Sequence, residues 1–236
     1  MRSTIIALSA CAVLAGCSSA PVDGAPVVHI EPAAKPSVSR SLDKVLPTAD
    51  ELATTLGRGG FMGQLVKGGP DMLLQGIGES DASPVDCVSP AYAMQKVVYQ
   101  AGPVRSVATQ SWVGGDASGP SGSGFFGVAQ FASADDAQAF FAAAADKWHR
   151  CNGQAMVVHQ SQRGAESVSR IADVVVDNRV VSAVVMRDAG SSIDRALGVA
   201  ADCVVDVEVS DTTGDAGGNA ESAVKVVNLM LQKVGG

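Results

Sequence analysis

An α+β fold is predicted for residues 42–236: a single domain with a twisted, mostly antiparallel sheet flanked by helices. Three observations predict it. The element order is helix, strands, long helix, several strands, final helix, which segregates strands from helices. The stretch Ala134–Arg150 carries one apolar stripe at helical spacing. After Gly153 the pattern changes to short strand-like runs separated by turn residues.

The first helix opens on Thr48-Ala49-Asp50-Glu51, a capping box with Thr48 as N-cap and Glu51 at the third helical position. Leu52 and Leu56 follow four apart, and Gly57 offers the stop. Arg58 to Gly78 has no clear period and reads as an irregular, partly buried segment. Ser89-Pro90 opens a short helix through Gln95. Val104 to Val113 alternates as a half-buried strand, and Phe125 to Phe131 is its hairpin partner. Between them Gly114 to Gly124 (GGDASGPSGSG) reads as a long, mobile loop.

Ser133 caps the long helix, with Asp135 and Asp136 in its first turn and Lys147, His149 and Arg150 in its last. Both charge placements complement the helix dipole. Ala137, Phe140, Phe141, Ala144 and Trp148 form its apolar face. Strands are expected at Ala155–His159, Ser167–Asp177, Val180–Arg187 and Ala196–Val209, with a hairpin turn at Asp177-Asn178. Asn219 caps a last helix through Val234, turning Ala223, Val227, Met230 and Val234 to the core.

The N-terminus speaks to location. Residues 1–16 have a positive start and an apolar stretch, Thr4 to Leu14, of secretory length. They end in Leu14-Ala15-Gly16 before Cys17, the lipobox arrangement of bacterial lipoproteins. Cys17 is therefore the expected lipidation site, carrying diacylglyceryl and palmitate-type chains. Two or more acyl chains suffice for stable anchoring. The expectation is an exported protein, lipid-anchored at the outer face of the cell membrane. Residues 17–41, with Pro21, Pro26, Pro32 and Pro36, read as a semi-extended tether.

A formal net charge of −7 argues against a nucleic-acid binder, whose affinity comes from clustered Lys and Arg. It also argues against electrostatic attachment to anionic lipid. Beyond the N-terminus no apolar run reaches the roughly 18 residues of a membrane span.

With Cys11 in the signal peptide and Cys17 lipidated, Cys87, Cys151 and Cys203 remain. Three cysteines allow three pairings. Cys87 and Cys151 lie at element boundaries, where a bridge forms easily, whereas Cys203 sits in an apolar run that suits a buried thiol.

The stretch FASADDAQAFFAAAADKWHRCNGQ, the lone Cys87 before it and DRALGVAADCVVDVEV after it resemble the PknH-like extracellular sensor domain family. LPTADELATTLG at 46–57 resembles the opening of that domain. The family is known from a mycobacterial serine/threonine kinase and from exported mycobacterial lipoproteins. The resemblance implies a sheet shaped around a cleft that takes a small-molecule or envelope ligand. It also implies a Cys87–Cys151 disulfide. A second bridge of the kinase domain would fall near Ile193 and Ser210, neither of which is cysteine. No kinase motif is present.

Catalytic chemistry finds little support. The domain holds only His149 and His159, and no CxxC or HxxxH spacing suggests a metal. Asp146, Asp202 and Asp206 read as a solvated face, and GGDASGPSGSG lacks the GK[ST] of a phosphate cradle. No cofactor is expected. Arg170, Arg187 and Arg195 are candidates to hold an anionic ligand, with ion pairs to Asp173, Asp188 or Asp194 as the competing role. Trp112 is a candidate ligand platform, although Trp112, Trp148, Phe125 and Phe140 also suit a core. The expected function is non-catalytic binding of a small-molecule or envelope ligand in a cleft. A protein-interaction or scaffolding module is the alternative.

Overall fold

The computed structural model describes residues 41–235 except 118, 161–164, 188–189 and 212–219. The signal peptide, Cys17, the tether up to residue 40 and the Asn219 cap lie outside the described residues. Five helices are described: α1 (Ala49–Leu56), α2 (Val88–Ala91), α3 (Lys96–Tyr99), α4 (Ala134–Cys151) and α5 (Glu221–Gly235). The strands are β1 (Gly60–Met62), β2 (Val66–Gly68), β3 (Ala82–Ser83), β4 (Val104–Asp116), β5 (Gly119–Phe131), β6 (Ala155–Gln160), β7 (Ala165–Asp177), β8 (Val180–Arg187), β9 (Ser192–Ala200) and β10 (Cys203–Asp211). They form one antiparallel sheet in the order β1-β4-β5-β10-β9-β8-β7-β6-β3, with β2 also paired to β4. Its outermost strands are only two or three residues long, which blunts both edges against further pairing.

Local signals explain the helices. Thr48 Oγ1 accepts from the Glu51 N–H at 3.2 Å while Glu51 Oε2 accepts from the Thr48 N–H at 2.7 Å, and Gly57 ends α1 at φ +70°. Ser133 caps α4 through the Asp136 N–H. Its stripe of Ala137, Phe141, Ala144 and Trp148 is buried in a core with Met94, Tyr99, Ile171 and Val185. Phe140 stacks at the edge of that core, 4.7 Å from Tyr99 and 5.0 Å from Phe131.

The other face of the sheet carries a second core, where Val227, Met230 and Val234 of α5 meet Leu52, Trp112, Phe126, Val205 and Val207. Central β10 is therefore buried on both faces, with Val205, Val207 and Val209 in this second core and Val204 and Asp206 turned to the first. Lys233 fastens α5 to α1, donating to the Leu46 carbonyl and pairing with Glu51 at 2.8 Å.

Four sequence expectations need correction. Gly114–Gly124 is no mobile loop: the ladder runs through it to a turn at Ala117, and its glycines clear space for aromatic rings. A Cβ at Gly60 or Gly114 would overlap the Trp112 indole, and one at Gly124 would overlap Phe126. The run Ala196–Val209 is two strands, β9 and β10, reversed at Ala201-Asp202 with Ala201 at φ +47°. Arg58–Gly78 contributes β1 and β2 to the edge of β4. The helix at Ser89-Pro90 stops at Ala91, and α3 begins only at Lys96.

Candidate functional site

An open cleft of about 490 Å³ lies between residues 75–79 and 96–100, lined by Gln75, Ile77, Gly78, Glu79, Lys96, Val97 and Gln100. Two backbone hydrogen bonds join its walls at the base. Leu74 N–H donates to the Met94 carbonyl at 3.0 Å, and Lys96 N–H donates to the Leu74 carbonyl at 2.7 Å. Between the two walls, Gln100 Nε2 donates to Glu79 Oε1 at 2.9 Å. One side of the Gly78 turn is fixed by Asp81, whose carboxylate accepts from the Gly78 N–H at 2.9 Å. The lining offers an ammonium, a carboxylate and two carboxamides around the aliphatic side chains of Ile77 and Val97. Such a set both donates and accepts hydrogen bonds without favouring either sign of ligand charge.

A buried polar network seats the 96–100 wall on the sheet. Asp206 of β10 accepts from the Met94 N–H at 2.8 Å, the Tyr99 hydroxyl at 2.9 Å and Arg195 Nη2 at 2.8 Å. Arg195 spends its other donors on the carbonyls of Ser89, Pro90 and Val207. Trp148, whose indole N–H donates to Ser89 Oγ, lies 5.5 Å from the guanidinium. Burial, and then the neighbouring Asp206 carboxylate, hold the Tyr99 phenol well above its ordinary pKa. The network is a satisfied structural rivet and holds Met94 at φ +52°.

The four side chains singled out from sequence are not brought together, and none lines the cleft. Arg195 is fully enclosed, so no ligand reaches it. Its ion-pair partner is Asp206 rather than Asp173 or Asp194, with Asp188 outside the described residues, and Asp206 is buried instead of solvated. Trp112 is a core residue, 1% exposed, and offers no platform.

Arg187 is partly exposed. Its guanidinium lies 4.6 Å over the Tyr92 ring, with Nη2 at 3.4 Å from both the Ala91 carbonyl and Glu208. Arg170 is exposed on the opposite face of the sheet.

Cys87 and Cys151 form a disulfide with Cα atoms 5.6 Å apart, joining the start of α2 to the end of α4. Cys203 is a buried thiol in the second core, near Asp202 Oδ1 at 3.5 Å. His159 pairs with Glu166 at 3.0 Å. Among the described residues, no three His, Cys, Asp or Glu side chains gather as metal ligands would.

A cleft was expected from the family resemblance, but sequence reasoning missed the residues that line this one. Gln75, Glu79, Lys96 and Gln100 look like solvated polar residues in an aperiodic stretch. The contact that pairs them, the Leu74–Gln95 bridge, is a single parallel pairing with no periodic signature.

Comparison with known proteins places this geometry. The family model for PknH-like extracellular domains matches residues 38–233. The crystal structure of the extracellular domain of PknH from Mycobacterium tuberculosis superposes with a TM-score of 0.71 at 21% identity, covering 85% of this chain and 98% of that one. An uncharacterized protein of Mycobacterium smegmatis aligns over 82% of this chain and 95% of its own, at 11% identity and a TM-score of only 0.40. No curated protein matches. The fold is shared with the PknH domain, and among the described residues no helix is long and apolar enough to cross a membrane. The chain belongs to the PknH-like extracellular domain family.

Proposed function

We propose that this is an exported lipoprotein, anchored through Cys17 at the outer face of the membrane, whose domain binds a small neutral, hydroxyl-rich ligand without chemical conversion. The observation that carries the reading is the cleft lining. Lys96 and Glu79 balance each other's charge, Gln75 and Gln100 donate and accept, and Ile77 and Val97 provide an apolar wall. A sugar-like molecule, with hydroxyls at its rim and C–H faces between them, meets each of these groups. The lipobox and the extracellular family support the location.

Calorimetric titration of the purified chain with neutral mono- and disaccharides tests the ligand. Saturable binding weakened by Lys96→Ala and Glu79→Ala, with the sugar recovered unchanged, is the expected result. Binding that survives both substitutions, or sugar consumed, removes the reading. Metabolic labelling with a fatty-acid analogue tests the anchor, because Cys17→Ser should abolish the label.

A protein-interaction role is favoured by one observation. Phe61 of β1, 81% exposed, and its ladder partner Val113 of β4, 49% exposed, form an exposed apolar pair. Charged substitutions there should release envelope partners and leave cleft binding intact.

A further inference from the structure

α5 lies over β9 and β10, where its Val227 and Leu231 close on Gly198. Among the described residues, it leaves the same face of β6, β7 and the Met186 end of β8 uncovered. The ladder puts Val157 beside Val168, Ala155 and Met186 on either side of Arg170, and His159 beside Glu166, all on this face. Val168 is 37% exposed and Met186 42%, so an apolar strip faces solvent. Along β7 the face reads Glu166, Val168, Arg170, with alternate residues pointing the same way.

The Arg170 side chain has no ion pair or hydrogen bond among the described residues, and its four nearest neighbours on the face, Ala155, Val168, Ala172 and Met186, are uncharged. Among the described residues, the Glu166 carboxylate pairs with His159. We propose that a second copy of this chain packs face to face on this surface about a two-fold axis through Val168. With the two β7 strands antiparallel, Val168 lies over its own counterpart. Arg170 of each copy then meets Glu166 of the other, on both sides of the apolar centre.

Charge complementarity selects this occupant. An acidic partner satisfies Arg170 but sets like charge against Glu166, and a basic partner does the reverse. A surface that satisfies both carries opposite charges in the reverse order around an apolar centre, and an isologous contact supplies this automatically. The patch is three strands wide, below the roughly 800 Å² per partner of a standard interface. The contact is therefore weak and reversible, and it gains from any tethering that concentrates the chains.

The test uses the full chain in its native envelope. Val168→Cys, treated with a short bis-maleimide, should give a crosslinked dimer, because stacked sheets sit about 10 Å apart. Lys225→Cys, exposed on α5, should give little. In the Val168→Cys background, Arg170→Glu or Glu166→Arg alone should cut the dimer yield several-fold, and the two together should restore it. Equal crosslinking at 168 and 225, single reversals without effect, or a double reversal that fails to restore the yield would each overturn the proposal. A thermal unfolding curve on each variant separates lost contact from lost fold.

Discussion

Ile193 on β9 and Ser210 on β10 stand directly opposite one another across an antiparallel ladder. The family resemblance places a second bridge near these positions. Here the opposed pair carries no sulfur and is held by other means. Ile193 is buried, and the Ser210 hydroxyl hydrogen-bonds Ser123 at 2.7 Å. Directly opposed residues have Cα atoms about 4.5–5.5 Å apart, which a disulfide spans. The double substitution Ile193→Cys/Ser210→Cys should oxidise spontaneously. It should add up to about 3 kcal/mol for a loop of about 18 residues. Denaturant unfolding with and without reductant checks this, and an unoxidised pair would count against the register.

The native Cys87–Cys151 bridge closes a much longer loop, with a sequence separation of 64. In the chain-entropy account its loss costs about 4 kcal/mol. Cys87→Ala/Cys151→Ala should lower the urea midpoint accordingly. Reductant should reproduce that shift in the parent chain and leave the variant unchanged.

Gly114 is required by Trp112 rather than by backbone conformation, since the buried indole occupies the space of a side chain there. Gly114→Ala should cost about 1–3 kcal/mol through overpacking and shift the tryptophan emission. Gly59 has open space around it, so Gly59→Ala should be neutral or slightly stabilising by the same unfolding measurement.

Removing Asp206 strands the enclosed Arg195 charge and two further donors. Asp206→Ala should therefore cost about 3–5 kcal/mol, among the largest single losses available in this domain. Truncating an exposed ion pair such as Lys147 with Asp86 should cost no more than about 1 kcal/mol. Equilibrium unfolding of the two variants gives the comparison.

Tyr99 makes stability depend on alkaline pH. Its folded pKa lies well above the ordinary phenol value because burial and Asp206 both oppose ionisation. Unfolded tyrosine titrates near about pH 10. The contribution of Tyr99 is thus whole below that value and lost as pH rises toward the folded pKa. Urea midpoints should fall between pH 9.5 and 11 by roughly the slope of one proton. Tyr99→Phe should flatten that fall.

The elements carried by local chemistry were legible in the sequence. Thr48, Glu51 and Gly57 delimit α1, and Ser133 with the Phe141–Trp148 stripe delimits α4, because caps and helical stripes act over a few residues. The family likeness likewise identified the Cys87–Cys151 pair. Features that depend on distant partners stayed hidden. The glycines between 114 and 124 look like a loop until Trp112 and Phe126 fill the space above them. The turn at Ala201 lacks the Gly or Asn that marks left-handed backbone, so two strands read as one. Asp206 resembles any surface acid within a strand. Only the fold brings Arg195, Tyr99 and the Met94 amide around it. The cleft was opaque for the same reason, since its walls meet through a single bridge.

The hydrogen bond from the Met94 amide to Asp206 gives the segment between α2 and α3 an unusual place in the opening hierarchy of the domain. Amides in irregular connections ordinarily exchange with solvent through small local fluctuations. This one donates to a buried carboxylate on a central strand, so its exchange should require β10 itself to let go. In exchange time the Met94 amide should belong to the sheet, a slow clock of the core beside one wall of the cleft.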